Sequence, residues 1–404
     1  MGDKVYKANC AIFHDGKDAA TGHYTSMIRK DKSWIYTNDH IVQKKTWPRN
    51  SKELTMNGNY ANVMDFLEEE EDEVSYTRTR RVRMIRERFN WFDLYDSVDF
   101  RRRFKLTKLN FRMLLCKIEN AIMPNSYRND PVPPIIKLLV ALRFYATGSF
   151  LMAIGDFVGI SEATTQRIVH KLSDVIAALS PEFIKFPSGD DILKIEAEIF
   201  HKAGFIRILG ALDCVHIPIQ SYGGENAELF RNRKGFFSFN VQVIVNARLQ
   251  IMDIVARWPG SSQDSIIFHN SVLKSRFENG EFGNKMILGD SGYPNLPYLM
   301  TPLLIPKTPA EILYNESQIR SRSIIERNFG VWGRTFPILT IGSRFRTPQT
   351  TMNVIIACAV LHNIIRSEVT EDSNLENYIN IMQNHSEALH QDERKYLIEN
   401  YFQK

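Results

Sequence analysis

The stretch "RILGALDCVHIPI" (207–219) has the composition of a strand buried on both faces, yet it carries an aspartate at its centre. Apolar residues flank Asp213 on each side, without the alternation that would turn one face of a strand to water. A lone carboxylate in that setting is costly to desolvate. Asp213 therefore either pairs with a nearby Arg or Lys, or joins other carboxylates around a shared cation.

The segments that follow narrow the choice. "FFSFNVQVIVNARL" (236–249) and "QIMDIVARWPG" (250–260) are two further apolar runs, separated at 246–248 by a piece short enough for a hairpin turn. "SQDSIIFHNSVLKSRF" (262–277) has helical spacing, and "KMILGDSGY" (285–293) is a fourth short strand ending on Asp290. "YNESQIRSRSIIERNFGVWGR" (314–334) is helical again, with apolar positions at Ile319, Ile324, Ile325 and Phe329. Three strands, a helix, a fourth strand and a long late helix form the order of an α/β, ribonuclease-H-like mixed sheet flanked by helices. In that layout the first and fourth strands are neighbours, so Asp213, Asp290 and Glu326 converge. Three carboxylates side by side raise one another's pKa unless a cation neutralises them. Oxygen-only ligands select hard ions such as Mg²⁺ or Mn²⁺. Two such ions about 3.5–4 Å apart clamp the attacking and leaving oxygens of a phosphodiester. Each residue also has a plainer role open to it. Asp290 followed by Ser-Gly suits a turn, Glu326 can pair with Arg322 one turn earlier, and Asp264 suits the first turn of its helix.

The rest of the chain divides by composition. With 404 residues, 44% of them apolar, it has room for two or three domains. The net charge of +5 excludes little, but its distribution is uneven: "EEEEDE" (68–73) is followed by "RTRRVRMIRER" (78–88) and "FRRRFK" (100–105). Such basic blocks suit either a solvated helix face or a nucleic-acid partner. Residues 56–97 are expected to be a charged linker with a basic helix, and 98–190 a helical domain. Residues 205–366 hold the α/β core, and 367–404 form an acidic tail with eight Asp/Glu against three Lys/Arg. Within the helical part, "SFLMAIGDFVGISEATTQRIVHKLSDVIAAL" (149–179) has the turn chemistry of a helix-turn-helix. Arg167 and Lys171 share one face of its second helix and are candidates for DNA contact, although ordinary helical hairpins look the same. Four dispersed cysteines without metal-ligand spacing fit a reduced, intracellular protein, and no apolar run approaches the length of a membrane span.

Six motifs in order, "GALDCVHIPI", "RNRKGFFSFNVQVIVNA", "VARWPGSSQDSIIFHNS", "ILGDSGYP", "RSIIERNFGVWGRTFPIL" and "IIACAVLHNII", resemble the PIF/Harbinger transposase superfamily. The likeness runs over about 98–366 and is greatest to the domesticated, transposase-derived nuclease branch. It implies a divalent-metal-dependent DNA endonuclease with Asp213, Asp290 and Glu326 as metal ligands and catalytic residues. It also implies DNA as substrate, action in the nucleus with the cytoplasm as a second location, a separate Myb-like DNA-binding partner, and room for self-association. Arg231, Arg233 and Lys234, and Arg320, Arg322, Arg327 and Arg334 on the late helix, would then meet phosphates. One departure stands out. Where relatives carry approximately "GVWKRRFPIL" this chain has "GVWGRTFPIL", so Gly333 and Thr335 are expected to be lost phosphate contacts. A DNA-binding protein that no longer cleaves is the alternative reading.

The first 55 residues fall outside that pattern and are expected to form short strands. "NCAIFHDGKDAATGHYTSMIRKDKSWIYTNDHIV" (9–42) resembles the C-terminal histidine box of ubiquitin-specific proteases. The resemblance makes His23 the former general base and Asn38 the residue that oriented it. Cys10 does not match that family's nucleophile, and a histidine without an activated thiolate is not a protease. The segment therefore reads as an isolated fragment.

Overall fold

The structure is a computed structural model. It describes the backbone of residues 10–18, 21–30, 33–38 and 41–45, and residues 87–124, 130–189, 191–368, 378–379, 381 and 392–403 with their side chains. The chain separates into two units, Met1–Arg83 and Met84–Lys404. In the first, β1 (Cys10–Asp18), β2 (Thr21–Lys30), β3 (Ser33–Asn38) and β4 (Ile41–Lys45) form an antiparallel meander in sequence order. His23 lies on β2 opposite Asp15, and Asn38 closes β3 opposite Thr25. The run at 68–73 and most of that at 78–88 lie outside the described residues.

Among its described residues the second unit begins with eight helices: α1 (Trp91–Leu94), α2 (Ser97–Phe104), α3 (Lys108–Ile122), α4 (Pro134–Thr147), α5 (Leu151–Val158), α6 (Glu162–Ala177), α7 (Ser180–Phe183) and α8 (Asp191–Ala203). Local chemistry sets their ends. Asp96, Thr107 and Ser161 each accept a hydrogen bond from a backbone N–H of the first turn that follows. At the end of α5 the chain turns at Gly159 with φ +79°. Gly155 lets α6 approach closely, since a Cβ there would lie 2.6 Å from the Ile160 carbonyl oxygen. The 3.6-residue spacing of Ile168, Leu172, Ile176 and Leu179 predicts one buried face; the first three are buried and Leu179 half-buried, which leaves Arg167 and Lys171 on the exposed side of α6.

The sheet then follows as β5 (Ile208–Pro218), β6 (Ser238–Val245), β7 (Ile251–Pro259), β8 (Met286–Leu288) and β9 (Leu299–Met300), in the spatial order β7-β6-β5-β8-β9. The first three strands pair antiparallel, while β8 and β9 run parallel to β5. This is the mixed, ribonuclease-H-like sheet expected. The β6–β7 hairpin is closed by Asn246, whose side-chain oxygen accepts from the Arg248 and Gln250 amides. The single helix expected over 262–277 is two, α9 (Asp264–His269) and α10 (Val272–Glu278), because Ser271 caps a fresh start at Lys274 N. Behind the sheet come α11 (Pro309–Thr335), α12 (Ile338–Ile341), α13 (Pro348–Arg366) and α14 (Glu393–Asn400).

Both faces of the sheet are covered. On one, Leu209, Leu212, Ile244 and Ile287 pack with Phe268, Leu273 and Phe277 of α9 and α10. On the other, Ala211, Val243 and Leu288 join the larger core that also holds Ile325, Trp332, Val360 and the helices before the sheet. The helical segment and the sheet thus share one hydrophobic interior. Part of the acidic segment enters it too. Tyr378, Leu397 and Phe402 are buried, and Glu393 forms a fully buried ion pair with Arg207, just before β5. The Tyr378 hydroxyl accepts from the Arg207 amide at 3.1 Å and donates to Glu196 at 3.2 Å, and Lys285 meets Glu196 at 2.9 Å. The segment is acidic, as its charges indicate, and the apolar residues between those charges anchor its described part in the core.

Two stability predictions follow from buried charge. Removing one member of a fully buried pair strands the other, so Glu393→Ala should cost about 3–5 kcal/mol. Lys395→Ala on the exposed side of the same helix should stay within about 0.5 kcal/mol in denaturant titrations. Asp253 on β7 has a buried Oδ2 without a hydrogen-bond partner among the described residues. Burial pushes its carboxyl up to about 6, and Arg276 only partly opposes this. The folded pKa lies above the unfolded one, so its favourable contribution is complete below about pH 4 and is lost as pH rises through about 6. Asp253→Asn should therefore be more stable than the parent by about 2 kcal/mol at pH 7.5, with no difference near pH 4.

Candidate active site

Parallel pairing of β5 with β8 sets Ala211 beside Leu288. Two residues further along each chain stand Asp213 and Asp290, at matching heights on neighbouring elements. Asp213 is inside the strand and largely buried, whereas Asp290 lies just past the end of β8, on the turn. Its Oδ1 accepts from Gly292 N at 2.9 Å, so it also performs the turn role open to it. Gly289 beside it is closely packed, since a Cβ would lie 3.1 Å from both the Leu299 and Tyr293 side chains, which would have to give way slightly.

The long helix α11 crosses these strand ends and is pinned there. Gln318 Nε2 donates to the Gly289 carbonyl at 2.7 Å, inside the core. One turn later Arg322 Nη2 lies 3.3 Å from Asp213 Oδ2, and the same nitrogen lies 3.4 Å from Glu326 Oε1 another turn on. Arg322 is 21% exposed, Asp213 17% and Glu326 65%. The structure thus brings Asp213 and Glu326 to one guanidinium, with Asp290 in electrostatic reach of Asp213. Burial pushes the Asp213 carboxyl up and the Asp290 charge adds to this; the Cys214 amide, donating at 2.8 Å, and Arg322 pull it down.

As these side chains stand, no three His, Cys, Asp or Glu among the described residues are close enough together to hold a metal ion. The chemistry of the set nevertheless suits a hard divalent cation. Its donors are all carboxylate oxygens, and a positive charge already stands between two of them.

Successive strand residues point to opposite faces, so Cys214 lies on the far side of β5 from Asp213. Its sulfur meets Tyr293 Oη at 3.3 Å, and burial, with Asp264 adding, raises its thiol pKa well above the usual range. Such a cysteine is no nucleophile. Asp264 opens α9, as its position in the sequence suggested, and accepts from Asn240 Nδ2 at 2.7 Å. Gln318 and Asn240 were not singled out from the sequence. Asn240 carried a weaker signal, since Ser238 and Gln242 are also polar and buried on the same strand.

The basic candidates differ in availability. Arg231 is engaged: it donates to both carboxylate oxygens of Glu228, at 2.7 and 3.0 Å, and stacks 4.4 Å over Phe237. Arg233 and Lys234 are exposed, near enough to His216 to lower its pKa after burial has done most of that work. Arg327 and Arg334 are exposed on α11, and Arg167 and Lys171 on α6. Gly333 is no lost phosphate contact. It is buried, and a Cβ there would come within 2.9 Å of Thr340 Cγ2. Thr335 is half-buried and donates to the Val331 carbonyl. The side chains of His23 and Asn38 lie outside the described residues.

Comparison with known proteins agrees with this layout. Residues 212–363, which include Asp213, Asp290 and Glu326, match the family described as DDE superfamily endonuclease. Over 240 residues the chain is 35% identical to the human protein named "Putative nuclease HARBI1", covering 59% of this chain and 68% of that one. The Xenopus laevis protein of the same name is 30% identical over 243 residues, covering 59% and 70%. An Arabidopsis thaliana protein, "Protein ALP1-like", is 25% identical over 294 residues, covering 67% and 71%. No solved structure matches the chain. With that sheet, that order of motifs and those relatives, the chain belongs to the DDE superfamily endonucleases, within the domesticated Harbinger-derived nuclease family.

Proposed function

We propose that this protein is a transposase-derived DNA endonuclease that depends on a divalent cation. The observation that carries the reading is the placing of Asp213 level with Asp290 while Glu326 shares a positive partner with Asp213. Asp213, Asp290 and Glu326 would hold the cation. When bound, Mg²⁺ or Mn²⁺ ions, two in the full site, neutralise charge on the attacking and leaving oxygens of an in-line phosphodiester displacement.

The chain's own contribution is positioning. Asp213 pairs with Val243 of β6, and β8 pairs with the strand up to Ala211, so its backbone is held in place. Gln318 ties α11 to the carbonyl that precedes Asp290, which fixes the distance between helix and turn. Glu326, the most exposed of the three, has freedom to turn toward a ligand that arrives from solvent. Arg233, Lys234, Arg327 and Arg334 offer exposed positive charge to a phosphate backbone, and Arg167 and Lys171 do so from α6. Arg231 contributes less, being held by Glu228. A nuclear site of action, with the cytoplasm second, a Myb-like partner and self-association are part of the same proposal, and they rest on likeness of motif. The alternative, a DNA-binding protein without cleavage, draws on Gly333 and Thr335 and on the helix-turn-helix candidate; the packing of Gly333 and Thr335 weakens the first ground, while Arg167 and Lys171 on α6 keep the second.

Supercoiled plasmid should be nicked by the protein with Mn²⁺ or Mg²⁺ and not with chelator. Asp213→Asn should slow this by about 100-fold or more, which is ~2.7 kcal/mol of barrier. Equal nicking by both proteins would sink the assignment.

A further inference from the structure

We propose that Arg322 is a built-in competitor for the cation, a guanidinium that occupies the space between Asp213 and Glu326 and must swing aside before those carboxylates can share a metal. The inference rests on the nuclease reading and deepens it.

Three features support it. A single nitrogen, Arg322 Nη2, touches both carboxylates, so the positive charge stands between them instead of beside one. Arg322 is also turned inward, only 21% exposed, while Arg320, Arg327 and Arg334 on the same helix are exposed. Third, the hold is loose. The contacts of 3.3 and 3.4 Å are long for charge-assisted hydrogen bonds, which run about 2.7–2.9 Å. Arg322 Nε is buried without a hydrogen-bond partner among the described residues. Arg231 shows the tight version of such a pair, at 2.7 and 3.0 Å to Glu228.

A guanidinium bound this way neutralises Asp213 and Glu326 when no metal is present, and it can be displaced. Among the described residues its hydrogen bonds and ion pairs reach Asp213 and Glu326 and not Asp290, so a cation that draws in all three carboxylates gains a ligand that Arg322 does not have. The metal then binds only the fraction of molecules in which the guanidinium has left. Apparent affinity falls by that fraction, and a variant without the guanidinium recovers it.

The test is Mn²⁺ titration of the full chain followed by electron paramagnetic resonance, with thermal melting in parallel. Arg322→Gln should bind Mn²⁺ about tenfold tighter than the parent, and Arg322→Lys should fall between them. Without metal the glutamine variant should melt lower, because Asp213 has lost its counter-charge, and saturating Mn²⁺ should raise its melting point more than the parent's. A glutamine variant that folds only with Mn²⁺ supports the proposal as well. If Arg322→Gln and Arg322→Lys bind Mn²⁺ no tighter than the parent while Asp213→Asn binds it less, Arg322 is not a competitor. If Asp213→Asn and Glu326→Gln both leave Mn²⁺ binding unchanged, the carboxylate site itself is misassigned, whatever Arg322 does.

Discussion

Two aspartates at one level on adjacent parallel elements repel each other, and the neighbourhood is arranged around that repulsion. The strand that carries Asp213 is buried on both faces, which holds the charge still and deprives it of water. Something positive or polar must compensate. The helix α11 supplies it along one stripe, four residues apart each time: Gln318 on the carbonyl before Asp290, Arg322 on Asp213, and Glu326 beyond. One helix face therefore both builds the acidic site and balances it.

Much of this was legible in the sequence because periodicity and position carry it. Each strand of the antiparallel part is a dense apolar run, and Asp213 is conspicuous because every neighbour within three residues except Gly210 and His216 is apolar. Turn chemistry at "GDSGY" located the turn after β8, although the strand ends at Leu288, two residues before the Asp290 expected to close it, and the buried stripe on α6 follows from spacing of 3.6 residues. What could not be read depends on partners far away in the chain. The strand β9 is two residues long and has no pattern of its own, existing only because β8 offers an edge. The break between α9 and α10 needed the cap at Ser271 to outweigh helical spacing that continues across it.

Charge was the least transferable signal. Arg231, Arg233 and Lys234 look alike in the sequence, yet Glu228, three residues earlier, fully engages the first and not the others. Glycine at 333 read as an absent cation because its surroundings were unknown; in the fold it is a contact surface for Thr340. Arg322 read as a phosphate ligand or a surface partner of Glu326, and its inward turn became visible only once Asp213 was placed beneath it. In each case the sequence counted charges correctly, and the distance to an opposite charge decided what they do.

The buried pair between Arg207 and Glu393 has a consequence for how the molecule is made. Arg207 introduces the first strand of the sheet, while its counter-charge is 186 positions downstream. A chain emerging from the ribosome can complete the pairing of β5 with β6 and β7 long before that glutamate exists. Until then the guanidinium lacks its ion-pair partner and has only Glu196 in electrostatic reach, so closing the core around it is less favourable. The last step of burial around Arg207 is thereby coupled to the arrival of residues 392–403, and a chain that stops short of them leaves that guanidinium without its ion-pair partner.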